Sequence, residues 1–177
     1  MKIRKIIIVS FSLLLITLSS FAQDQRTTET KVADLLARLP ANDLQFTDIL
    51  MGDMLSLGES GLKRICEQVI PTGAGDDIRP RFAVESFSRF LSRKGKEPER
   101  TMWEKICISY AISAPDNGVK DFFMKQLQII GGNASAEAMK IYLGNKEICQ
   151  PALAVITAVG GKTAEAILAE SLKNKDL

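Results

Sequence analysis

Residues 131–139 read Gly-Gly-Asn-Ala-Ser-Ala-Glu-Ala-Met, and residues 160–168 read Gly-Gly-Lys-Thr-Ala-Glu-Ala-Ile-Leu. Each stretch follows an apolar run of helical spacing and opens a second one, so the chain repeats a two-helix unit about every 28 to 29 residues. A unit that short cannot bury its own apolar face, and stacking on its neighbours is the physical solution. Each Gly-Gly is expected to supply a residue with positive φ that ends one helix and turns the chain into the next.

Outward from these two stretches, no segment after Gln25 alternates with period 2 for long enough to make a strand. Gly, Pro and Asn interrupt the chain at helix-length intervals instead. The spacing predicts an all-α domain of nine helices. A leading helix spans about 27–39, with Val32, Leu35, Leu36 and Leu39 on one face and Pro40 as its stop.

Four helix pairs follow, opening near Asn42, Asp77, Asp116 and Asn145. The first pair reads as 44–57 and 61–70, with Gly58-Glu59-Ser60 between. The second has Phe82, Ala83, Ser86, Phe87, Phe90 and Leu91 on one face, then a helix opening at Glu97-Pro98, where proline suits the first turn. The third reads as 119–130 and 134–143. The fourth reads as 146–159 and 163–173, with Pro151 kinking its first helix or marking where that helix truly begins.

The first 22 residues are set apart from this pattern. Lys2, Arg4 and Lys5 precede an apolar run from Ile6 to Leu18, and Ser20-Phe21-Ala22 places small residues at a cleavage site. Residues 1–22 are therefore expected to be a signal peptide cut after Ala22, leaving 23–177 as one domain in the periplasm or outside the cell. The apolar run is shorter than the roughly 20 residues a spanning helix needs, so no stable membrane insertion is expected after cleavage. Three of the 23 basic residues lie in this leader and none of the 21 acidic ones do, so the remainder carries 20 against 21. A chain so close to neutral lacks the basic footprint that nucleic acid requires.

Histidine is absent, which removes the commonest general base and most metal centres. Cys66, Cys107 and Cys149 each follow an isoleucine within an apolar stretch and have no second cysteine at metal-ligand spacing. They read as buried thiols, although one disulfide among them remains compatible with an oxidising compartment. The glycine-rich loop 71–77 lacks the spacing and lysine of a phosphate loop, and its Asp76 or Asp77 is expected to cap the next helix. Trp103, Tyr110 and Phe46 could stack on sugar rings if they shared a concave face, with burial between helices as the ordinary fate of such side chains. No catalytic residue, cofactor or metal ligand is expected.

One local charge asymmetry stands out. Arg79 to Arg100 holds seven basic residues against three glutamates. A solvated outer helix face explains such a run, and an acidic surface is what it would bind. Arg81, Arg89 and Arg93 are the candidate binding residues, toward a protein partner or an acidic glycan.

The last two pairs, with stretches such as Pro151-Ala-Leu-Ala-Val-Ile-Thr-Ala-Val-Gly160, resemble short HEAT-like repeats of the phycobilisome-lyase type. The likeness covers 120–173 well and 42–114 more weakly. It implies a right-handed α-α superhelix. The exported start ending in Phe-Ala-Gln and the stretch Ala-Asp-Leu-Leu-Ala-Arg-Leu-Pro at 33–40 resemble secreted HEAT-repeat proteins of Bacteroidetes. Some longer members of that group carry a C-terminal domain related to 3-keto-disaccharide hydrolases. The expected function is a non-catalytic exported scaffold or protein-interaction module, and the resemblance implies an alternative as the N-terminal accessory part of a carbohydrate-active enzyme. A reading frame that continues past Leu177 would favour the alternative.

Overall fold

The computed structural model describes residues 26–173. The expected signal peptide, its cleavage after Ala22 and the last four residues lie outside that part. The described chain is all-helical, and its helices are α1 (Thr28–Ala37), α2 (Leu44–Ser56), α3 (Gly58–Cys66), α4 (Ile78–Leu91) and α5 (Glu97–Ser113). They continue as α6 (Asn117–Ile130), α7 (Asn133–Met139), a 3-10 turn (Lys140–Tyr142), α8 (Cys149–Val159) and α9 (Gly161–Ser171).

Local chemistry accounts for most of these boundaries. Thr27, Asp43 and Asp116 stand just before α1, α2 and α6, and their side-chain oxygens accept from first-turn N–H groups. Those groups have no partner within the helix, so each cap stabilises its helix by about 1 kcal/mol. Pro151 falls in the first turn of α8, so it marks the start of that helix, three residues later than the pattern from 146 suggests. Residues 58–60, expected as a connector, belong to α3, because Gly58 alone takes a positive φ of 66° and reverses the chain. The missing Cβ lets one residue do what three were expected to do.

The helices stack in two rows. In one row α1 packs on α3, α3 on α5, α5 on α7 and α7 on α9; in the other α2 packs on α4, α4 on α6 and α6 on α8. This is helix packing consistent with a helical-repeat superhelix, each element touching near neighbours in sequence. Between the rows runs one core, in which Trp103, Phe87, Phe123, Leu50, Met54 and Leu127 are wholly buried. The leading helix is a full member of its row, packed on α2, α3 and α4.

The closest partners across the rows are α5 with α6 and α7 with α8, whereas α6 and α7 hardly touch. The reason lies in the first Gly-Gly, where the expected positive φ is absent. Gly131 (φ −67°, ψ 152°) and Gly132 (φ −125°, ψ −159°) are extended and carry the chain away from α6. Glycine is needed at 131 for space. A Cβ there would lie 2.4 Å from the Leu127 carbonyl oxygen and 2.8 Å from Ser135 Oγ. At the second Gly-Gly the expectation holds, with φ of 65° at Gly160 and 71° at Gly161.

The two stretches thus share a sequence and differ in backbone. Ala136 and Ala164, and likewise Met139 and Ile167, occupy matching buried places 28 residues apart, while the glycine pairs are 29 apart. The shorter second link places Gly161 inside the first turn of α9, whereas Gly132 stays outside α7.

Candidate functional site

Arg81 and Arg89 sit on α4 and Arg93 two residues past its end, and the structure does not gather them into one cationic surface. Arg81 closes the connection between α3 and α4. Its Nε donates to Asp77 Oδ2 at 2.7 Å, its Nη2 donates to the Ile70 carbonyl at 2.7 Å, and its guanidinium lies 4.7 Å from the Phe122 ring centre on α6. Asp77 Oδ2 also accepts from the Ile70 N–H at 3.0 Å, and of the two aspartates expected before α4 it is Asp76 whose Oδ1 accepts from the first N–H of the helix, that of Ile78, at 3.0 Å.

Arg93 points the other way along the row. It makes a two-pronged ion pair with Asp48 on α2, at 2.6 and 2.9 Å, and lies over the Phe90 ring together with Lys96. The Arg93 guanidinium holds the Asp48 carboxyl below its usual range. Arg89 is the most exposed of the three, at 66%, and pairs with Glu85 one turn earlier on the same helix. Of the three, Arg89 and Arg93 present charge to solvent, and Arg81 is a structural clamp.

The aromatic trio is dispersed as well. Trp103 is wholly buried, donates from Nε1 to Ser88 Oγ at 2.9 Å and meets Phe87 edge-on. Tyr110 stacks on Phe123 and donates its hydroxyl to the Lys63 carbonyl, and burial pushes its phenol up to about 12. Phe46 lies on α2 in the other row, beneath Arg38. These rings do not form a sugar platform.

Cys66 and Cys107 are buried free thiols, and burial pushes both far above the ordinary thiol range. That makes them poor nucleophiles. Cys149 is free and partly exposed at the start of α8. Among the described residues no three His, Cys, Asp or Glu side chains gather as metal ligands do. No described helix is long and apolar enough to cross a membrane.

One buried polar node escaped the reading of the sequence. Glu104 lies on the inner side of α5, and its Oε1 accepts from Gly132 N–H (2.7 Å), Ser135 N–H (3.1 Å) and Ser135 Oγ–H (2.6 Å). It caps α7 from another helix. A signal for it does exist: Gly132 precedes α7 and has no side chain to cap with, and Glu104 falls among Trp103, Cys107 and Ala111 on an apolar stripe. A buried carboxylate there requires donors, and an uncapped helix start supplies them.

The fold and these sites define an all-α protein whose helices stack in two rows and whose polar clusters tie elements together. Comparison with known proteins finds no matching family model, no similar curated protein and no similar solved structure.

Proposed function

We propose that this protein is an exported, non-catalytic helical-repeat scaffold of HEAT-like type that binds a protein partner across its stacked helices. The observation that supports this reading is the two-row stacking of α1 to α9, which makes a surface of adjacent helices rather than one enclosed pocket. Binding on such a surface draws on several shallow contacts spread over neighbouring elements. The leader residues Lys2, Arg4 and Lys5 with the apolar run after them support export, to the periplasm or beyond.

Arg89 and Arg93 are the residues through which an acidic partner surface or acidic glycan would dock, being the exposed arginines of the three candidates in the basic segment. Arg81 belongs to the fold's own wiring, so it is left intact in the test. Immobilised protein should capture a reproducible partner from a cell-envelope extract, and the double variant Arg89→Glu with Arg93→Glu should lose it while keeping its helical circular dichroism. Undiminished capture by that variant would remove α4 as the binding face. Sequencing the N-terminus of the exported protein should return Gln23 first, and a protein that retains Met1 would refute processing at this position.

A further inference from the structure

We infer that Asp48 is a built-in competitor at the basic turn between α4 and α5, holding Arg93 until a carboxylate from an acidic segment of another protein takes its place. The inference rests on the proposal that Arg93 helps to dock an acidic partner, and it names that partner's chemistry and what restrains its binding. The turn reads Ser92-Arg93-Lys94-Gly95-Lys96, with three cations in its last four residues. Two carboxylates meet it. Asp48 of α2 is gripped by both Nη atoms of Arg93 at 2.6 and 2.9 Å, and Glu97 Oε1 accepts from Gly95 N–H at 3.1 Å. Among the described residues, the exposed Lys94 has no ion-pair partner.

Phe90, in the last turn of α4, holds two of the cations. The Arg93 guanidinium lies 5.6 Å and Lys96 Nζ 4.1 Å from the centre of its ring. The ring face attracts both charges. Arg93 therefore stays positioned when its carboxylate leaves, and less ordering is needed to bind the next one. Arg93, and Lys96 more weakly, hold the Asp48 carboxyl below its usual range, which places both cations around one acidic group. The two-pronged grip shows what the turn is shaped to hold, since a guanidinium fork matches a planar carboxylate, and here that carboxylate is a protein's aspartate.

The pair is open to exchange. The Arg93 and Asp48 side chains are 47% and 34% exposed, and an ion pair so wet shifts an equilibrium only a few-fold. One aspartate also leaves Lys94 and Lys96 free to attract further negative charge. An acidic protein segment meets that demand, because an extended chain sets successive residues about 3.3–3.6 Å apart and so brings several carboxylates to one short turn. Asp48 offers one carboxylate, whereas such a segment acts on three cations together and displaces it by multivalency.

Fluorescein-labelled decaglutamate, titrated with the purified protein at low salt and followed by anisotropy, should bind. Lys94→Glu with Lys96→Glu should weaken it about tenfold or more. Asp48→Asn removes the competitor's charge and keeps its size, and should tighten binding about two- to fivefold with unchanged circular dichroism. Asp121→Asn makes the same change in net charge on α6, where Asp121 pairs with Lys125, and should do much less. Combined with Arg93→Ala, Asp48→Asn should bring no gain, because nothing is left to compete for. Binding lost with the two lysine changes but untouched by Asp48→Asn overturns the competitor and leaves the basic docking face standing. Binding indifferent to all of these changes, or no binding, overturns the docking face as well. Equal gains from Asp48→Asn and Asp121→Asn reduce the effect to net charge and overturn the inference. Tighter binding of oligogalacturonate, a carboxylate-bearing glycan of equal charge, overturns a protein segment as the occupant.

Discussion

Gly131 and Gly160 begin near-identical stretches, yet an added methyl group meets a different obstacle at each. At 131 the obstacle is the Leu127 carbonyl, 2.4 Å from the Cβ position, and at 160 it is a φ of 65° that side chains rarely adopt. Gly131→Ala should therefore cost about 1–3 kcal/mol through crowding, and Gly160→Ala a similar amount through backbone strain. Urea unfolding followed by circular dichroism measures both. Glu104→Ala leaves two N–H groups and a hydroxyl at the start of α7 without their acceptor and should cost about 2–4 kcal/mol. Because Glu104 and Gly131 act on one junction, their double variant should depart from additivity by about 0.5 kcal/mol or more, whereas Glu104→Ala with Gly160→Ala should be additive. Equal coupling in both pairs would show that Glu104 does not act through the α7 start. The glycines were legible in the sequence as chain reversals, but which of the two physical reasons applied was not. That depended on a one-residue difference in the link to the following alanines.

Among the elements, α4 and the turn after it connect to both row neighbours through side chains that looked alike in sequence. Arg81 reaches Asp77, Ile70 and the Phe122 ring, so Arg81→Ala should destabilise by about 1–2 kcal/mol, while Arg89→Ala, losing one exposed pair on its own helix, should stay within about 0.5 kcal/mol. Equal losses at the two positions would refute the clamp. The Arg93 pair with Asp48 also carries a pH signature. Arg93 lowers the folded pKa of Asp48, so the stability it contributes is present above the unfolded value of about 3.9 and fades as pH falls through the lower folded value. Thermal unfolding of wild type and Asp48→Asn should therefore differ slightly near pH 6 and converge by about pH 2, where the aspartate too is neutral. The difference is small because both side chains are substantially exposed, and it should shrink in high salt. A gap that persists in acid would exclude the ion pair as its source. Periodicity located α4 and most of its wet face, with the half-buried Arg81 as the exception; it could not say which arginine would find a partner on a helix 45 residues away.

At the scale of the whole molecule, two rows of helices enclose one core, and the three cysteines report on it. Native protein at low concentration should react with thiol reagents at Cys149 well before Cys66 or Cys107, and all three should react in urea, as counted by intact mass. Early labelling of Cys107 would contradict the packing of α5 against α3 and α6. The sequence by itself determined the all-helical class and nearly every helix, with the apolar face of α1 and most of that of α4. Those follow from 3.6-residue spacing, capping side chains and breakers, all of which act between residues a few positions apart. Only the tertiary structure decided that α1 is a full member of its row, that α6 and α7 part company at Gly131, that Glu104 caps a helix 28 residues ahead, and that Arg93 reaches Asp48 on α2. Those features depend on which groups from distant parts of the chain meet, and their free energy comes from burial and paired charge that no local pattern encodes.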